Sequence, residues 1–348
     1  MASPDALILP AKKIDAHLKA TLDGYRQDWA TFDPMLADTV DLLSTLVLAG
    51  GKRVRPAMAY WGFVGAGGDP EDQAIVEIGS ALELLQAFAL FHDDVMDGSP
   101  TRRGNPTAHI AAETEHRAKG WRGESRRYGE AVAILAGDVS LVLSDVLLAG
   151  VGPDVRRLWN DLRVEVNLGQ FLDVVGTARG DVALSTAERI VEYKTARYTI
   201  VRPLQMGAAA AAEGTHLAQP LADFGTPLGI AFQLKDDLLG VFGETEVTGK
   251  PVGDDLREAK PTPLLARARN AATAEQRVLL DSVGPDLTDD QINEIQAVLV
   301  DTGAVAEIEA QIGTLTADAL AAIKKTPLAG GADERLAEIA NFLASRTS

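Results

Sequence analysis

The feature that most limits what this chain can fold into is helical periodicity over long stretches, with scarcely any strand-like alternation. Apolar residues recur at spacings of three and four across Val40–Ala49, Gln73–Asp97, Ala131–Ala149, Val155–Val175, Thr186–Ala212 and Leu217–Phe242. Several of these segments exceed 20 residues. Helices of that length suit an all-α fold, a large helical bundle whose members line a deep central cavity. Asp38, Ser185 and Thr186 are the expected N-caps, and Gly50-Gly51, Gly150 to Pro153 and Gly176 the expected stops. No internal repeat or low-complexity linker divides the chain, so residues 1–348 read as one domain. Its most polar stretch, Glu113–Gly129, reads as a solvated surface loop.

Charge narrows the partners. Lysine and arginine number 33 against 50 acidic residues, a formal charge of −17, which argues against nucleic acid, whose phosphate backbone needs a basic face. Small anions remain open, because they need only a local cationic pocket or a bound metal. With no cysteine there is neither a disulfide framework nor a thiolate metal site, which is compatible with the cytoplasm, the expected location. Met1 to Lys19 lacks the long apolar core of a leader. No stretch reaches the ~18 uninterrupted apolar residues of a membrane span. The richest run, Ala131 to Val151, is broken by Asp138 and Asp145 and reads as a buried core helix.

Two aspartate clusters stand out against this apolar background. His92-Asp93-Asp94-Val95-Met96-Asp97 closes one helical segment, and at about 100° per residue Asp93 and Asp97 share a face one turn apart. Gln233-Leu234-Lys235-Asp236-Asp237 sits near the end of another. One such cluster alone fits a solvated helix end. Two of them in helices this apolar need compensation, because unpaired buried charge is costly. Magnesium, which joins one or two carboxylates to substrate phosphates, supplies it if the two helices face each other. Cationic candidates accompany them: Lys52, Arg53 and Arg55 after the Gly50-Gly51 turn, Arg102 and Arg103 just past the first cluster, then Lys194, Lys250 and Lys260. Any one of these could be a plain surface residue, but their joint occurrence beside two acidic clusters favours two diphosphate sites, one metal-bound and one held by side chains.

Taken in order, GGKRVRP, ELLQAFALFHDDVMD, RRG, GQFLD, YKTA, AFQLKDDLLGVFG and TGKPVGDDLREAK make the chain resemble the trans-isoprenyl diphosphate synthases, or polyprenyl synthetases, most of all those of the geranylgeranyl type. The resemblance runs from about Gly50 to Lys260. It implies the isoprenoid synthase fold, a homodimer, and a prenyltransferase joining isopentenyl diphosphate to an allylic diphosphate by ionisation, condensation and proton loss. Residue by residue it implies that Asp93, Asp97 and Asp236 bind magnesium, three ions in all, with Asp94 and Asp237 in support. Lys52, Arg55, Gln86 and Arg103 match its isopentenyl diphosphate ligands, and Arg102, Lys194, Lys250 and Lys260 its allylic diphosphate ligands. Thr195 and Gln233 match residues whose oxygens face the allylic cation, and Gln170 and Asp173 match an element near the metals. Gly240 stands where some relatives carry a third aspartate.

Product length should follow from the depth below the first cluster. Ala89 lies one turn before Asp93 on nearly the same face. Its small side chain leaves an allylic tail room to descend. Phe88 lies ~7.5 Å deeper than Asp93 but is rotated ~140° from it, so it either narrows the tunnel or packs in the core. A C20 product is expected on this basis, with C15 or longer chains as alternatives. A class I terpene cyclase would instead need a serine four residues after Asn160, where Val164 stands. A non-catalytic subunit of the same fold should have lost charged positions that are all present here. His109, His116 and His216 read as structural or surface residues.

Overall fold

The structure, a computed structural model, describes residues 3–102, 104–180, 183–212, 214–243 and 252–345. As expected, the fold is all-α. α1 (Asp5–Ala30), α2 (Pro34–Val47), α3 (Val54–Gly65) and α4 (Gln73–Asp97) lead to a two-residue hairpin, β1 (Thr101–Arg102) paired antiparallel with β2 (Asn105–Pro106). α5 (Ala108–Ala118), α6 (Ser125–Leu147) and α7 (Pro153–Arg179) follow. α8 (Leu184–Ile190), a π-helical segment (Val191–Val201) and α9 (Arg202–Ala210) then run on without interruption. After α10 (Ala218–Phe242) come shorter helices beginning at Asp254, then Ala304–Lys324 and Ala332–Ser345.

Four local expectations need correction. Glu113–Gly129 is no continuous loop: it comprises the end of α5, a short connection and the first turns of α6. Ion pairs one turn apart, Arg117 with Glu113 (2.5 Å) and Arg126 with Glu130 (2.8 Å), support helix there without an apolar face. α2 starts at Pro34 behind Asp33, whose carboxylate accepts from the Met35 amide, rather than at Asp38. Ser185 and Thr186 sit inside the first turn of α8. α7 passes through Gly176 and stops at Gly180.

α3 is buried along nearly its whole length, and α4 packs beside it. α4 is long and apolar enough to cross a membrane, yet 67% of its most apolar stretch is buried inside the bundle, as in a core helix. Two glycines bring neighbours unusually close to the π-helical segment. A side chain at Gly169 of α7 would collide with the Lys194 backbone, and one at Gly229 of α10 with Ala196. The segment is thereby wedged between two helices at the level of the functional residues.

The GGKRVRP turn is fastened by the arginine between its two candidate ligands. Arg53 takes a left-handed backbone (φ 48°) as it enters α3, a conformation costly for a side chain with a Cβ. Its guanidinium donates to the Val47 carbonyl (2.7 Å), to Asp15 (2.9 Å) and to the buried Glu83 of α4. That single side chain ties α1, α2 and α4 to the start of α3. Removing Glu83 leaves a buried cation short of its partner. Glu83→Ala should therefore lower folding stability by about 3–5 kcal/mol, read as a fall in the denaturation midpoint, whereas loss of a surface pair such as Lys19–Asp23 should change it by less than about 1 kcal/mol.

Candidate active site

α4 ends at Gly98, whose left-handed conformation (φ 65°) turns the chain directly after the aspartates. The three carboxylates take different partners. Asp94, buried, accepts from Arg102 through Nε (2.8 Å) and Nη2 (2.5 Å), so the hairpin folds back onto the helix. Asp93 accepts from Gln170 (2.9 Å) and from Lys194 (3.2 Å), whose ammonium also reaches Asp173 at 2.6 Å. Asp97 lies 3.8 Å from Lys260, which also pairs with Asp255 at 3.6 Å and with Glu258.

Across from α4, the last turns of α10 present the second cluster. Thr195 donates to Gln233 Oε1 (2.5 Å), and Gln233 Nε2 donates to Asp237 Oδ1 (2.8 Å). Asp237 Oδ2 is buried with no hydrogen-bond partner among the described residues. Asp93, Lys194, Thr195, Gln233, Asp236 and Asp237 line one cavity of about 590 Å³, with Lys52, Arg102 and Lys260 on its walls. A second cavity of about 170 Å³ shares Asp93, Lys194 and Thr195 with the first and continues past Ala89, Phe88 and Gln86 to Arg55 and Tyr198. The two acidic helix ends therefore converge, as the sequence suggested.

The grouping of ligands differs from the expected one in a single respect. Lys52 opens on the larger cavity, while Arg55 and Gln86 line the smaller one. Arg103 and Lys250 lie outside the described residues. Three side chains escaped the sequence reading: Asp255, Glu258 and Tyr198. Asp255 is the instructive case, because a Cβ at Gly240 would collide with its carboxylate. The glycine that leaves the second cluster one aspartate short makes room for an acid from the next segment. The signal was present in GDDLREAK, but nothing in spacing tied it to position 240.

These residues also account for what the chain resembles. The sequence profile described as Polyprenyl synthetase matches residues 38–299, which include every carboxylate and cation lining the two cavities. The chain belongs to the polyprenyl synthetase family. It is 34% identical over 269 residues to the geranylgeranyl diphosphate synthase of Mycobacterium tuberculosis, covering 75% of this chain and 69% of that protein. It is 30% identical over 299 residues to the geranylfarnesyl diphosphate synthase of Aeropyrum pernix, covering 83% and 87%. A crystal structure of the Corynebacterium glutamicum geranylgeranyl pyrophosphate synthase, complexed with isoprenyl diphosphate and magnesium, superposes with a TM-score of 0.93 at 36% identity, over 99% of this chain and all of that one.

Electrostatics show how this polyprenyl synthetase site is poised. Burial works against charge on Asp93, but Lys194, Lys260 and Arg102 outweigh it and hold its carboxyl below the usual range. Asp97 goes the other way: burial, then repulsion from Asp93, push it up to about 7. Burial and the nearby Asp255 and Asp236 hold Asp237 well above the carboxylate range. Among the described residues no three acids or histidines converge tightly enough to hold a metal alone. The donor set nonetheless fits magnesium, which takes one or two carboxylates and completes its shell with phosphate oxygens and water. Opposed hard-oxygen walls with cations behind them are such a set.

Lys260 keeps this acidic group folded, which sets a pH dependence. A carboxyl whose value is raised on folding, as Asp97's is, favours the folded state only at low pH, and that contribution is lost as pH rises through about 7. Without Lys260 the same repulsion is less offset. Lys260→Met should cost about 3 kcal/mol near pH 8 and clearly less near pH 5, measured by thermal unfolding at both values.

Proposed function

We propose that this chain condenses isopentenyl diphosphate head-to-tail with an allylic diphosphate, releasing geranylgeranyl diphosphate, a C20 product. The observation that carries this reading is the convergence of Asp93 from α4 and Asp236 and Asp237 from α10 on one cavity, with cationic walls and a narrower cavity leading away. Asp93 and Asp97 on one side and Asp236 on the other would hold magnesium, three ions in all. Magnesium, when bound, would neutralise the allylic diphosphate and stabilise the charge that grows on it as the carbon–oxygen bond breaks.

The chain's own groups do the rest. Lys194, Arg102 and Lys260 stand ready to take diphosphate oxygens once the anion draws them from their carboxylates. Thr195 spends its hydroxyl proton on Gln233, so its lone pairs point outward as a neutral dipole toward a developing cation. The isopentenyl double bond then attacks the cationic carbon, and the departing diphosphate takes the proton that is lost. Water must stay out while the cation exists, which suits the apolar side chains of Phe88, Ala89, Leu90 and Val166 among the walls of the second cavity.

That second cavity supports the C20 assignment. Ala89 lines it, leaving space one turn below Asp93. Phe88 lines it too, its ring 4.6 Å from that of His92, while also packing on the core. It thus serves as both wall and core. A homodimer is part of the proposal. Leu135, Val142 and Val146 on α6 and Val164, Leu168 and Phe171 on α7 form exposed apolar stripes, which a second copy would cover. Light scattering should give the mass of two chains.

The test of function is a product assay with isopentenyl diphosphate and each allylic starter in turn, with and without magnesium. Magnesium-dependent C20 prenyl diphosphate is expected, and no product from isopentenyl and allylic diphosphates together would defeat the reading. Asp236→Asn should lower turnover by about 10²-fold or more. Ala89→Phe should shift the main product to C15, and an unchanged product length would show that the floor lies elsewhere.

A further inference from the structure

Gln86 poses a problem that its chemistry does not solve alone. A phosphate needs hydrogen-bond donors, but a carboxamide carries a donor at one end and an acceptor at the other, and the two have nearly the same shape. Turned the wrong way, Gln86 would face a diphosphate with its carbonyl oxygen and repel it. Tyr198 removes that ambiguity. Its hydroxyl donates to Gln86 Oε1 at 2.9 Å, which leaves the amide NH₂ group as the end available to a ligand. The same tyrosine faces Arg55, whose guanidinium lies over the ring 4.3 Å from its centre, a contact that holds a long, flexible cation in one place.

Further facts bear on the arrangement. Tyr198 is buried, at 3% exposure. Burial, only partly offset by Arg55, pushes its hydroxyl up to about 12, so it remains a donor throughout the physiological range. Arg55 Nε is itself buried with no hydrogen-bond partner among the described residues. Tyr198 also belongs to the π-helical segment, where hydrogen bonds run from i to i+5 and residues four apart stay close to one face. Lys194, four residues earlier, reaches Asp93 from that segment, while Thr195 turns to α10. One short stretch of backbone therefore touches the metal-side carboxylates, the second cluster and the Gln86–Arg55 pair.

We propose that Tyr198 is the positioning residue for the non-allylic substrate: its hydroxyl turns the Gln86 amide donor, and its ring steers the Arg55 guanidinium, toward the diphosphate of isopentenyl diphosphate. This rests on the prenyl-transfer reading above. Tyr198 touches no reacting atom in this scheme and acts through its two neighbours.

The test is steady-state kinetics with the two substrates varied separately. Tyr198→Phe keeps the ring and removes only the hydroxyl. It should raise KM for isopentenyl diphosphate about tenfold, the effect of losing one hydrogen bond, while KM for the allylic substrate and kcat change by less than about threefold. Gln86→Leu should raise the same KM at least as much, and adding Tyr198→Phe to it should bring no further loss. Equal changes in both KM values, an unchanged isopentenyl diphosphate KM in either single variant, or additive penalties in the double variant would each overturn the inference. The Gln86→Leu result stands even if Tyr198→Phe does not fold. A wild-type chain that makes no prenyl product would instead bring down the functional reading itself, and this inference with it.

Discussion

Everything in this molecule is arranged around carboxylates gathered where apolar helices end. α4 and α10 are core helices, and each finishes in acids that face the other across a cavity. Brought together without compensation, such charges would push the bundle apart. Compensation comes from elsewhere in the chain: Lys194 from the π-helical segment, Arg102 from the hairpin and Lys260 from the segment after α10. The cations that offset these carboxylates are the ones an incoming diphosphate would claim. Stability and ligand binding thus draw on the same ion pairs.

The π-helical segment is the mechanical counterpart of that charge ring. Helices of this kind are rare and occur frequently at functional sites. Here Gly169 and Gly229 let α7 and α10 press against its backbone. Lys194 and Tyr198 are directed at α4, one at Asp93 and the other at Gln86, while Thr195 is directed at Gln233 of α10.

Much of this was legible in the chain itself, for identifiable reasons. The limits of α4 match the periodic segment at both ends, because Asp72 caps its start and Gly98 closes it after a long apolar run. The first turns of α6 were missed because they are held by charge pairs rather than by an apolar face. The clusters at Asp93 and Asp236 could be read because each is contiguous. Asp255 could not, since its place depends on the space at Gly240 and not on its neighbours in sequence. Tyr198 was hidden for a related reason: a tyrosine in an apolar helix looks like packing until its hydroxyl is seen on Gln86. The π-helical segment could not be read from spacing, and what marks it in the fold is the close approach of glycines on two other helices.

The clash between position 240 and Asp255 has an implication for how such a site can change. Any side chain placed at position 240 would have to push aside the Asp255 carboxylate, the movable end of that residue, so whatever stands at 240 sets where the acid from beyond α10 comes to rest.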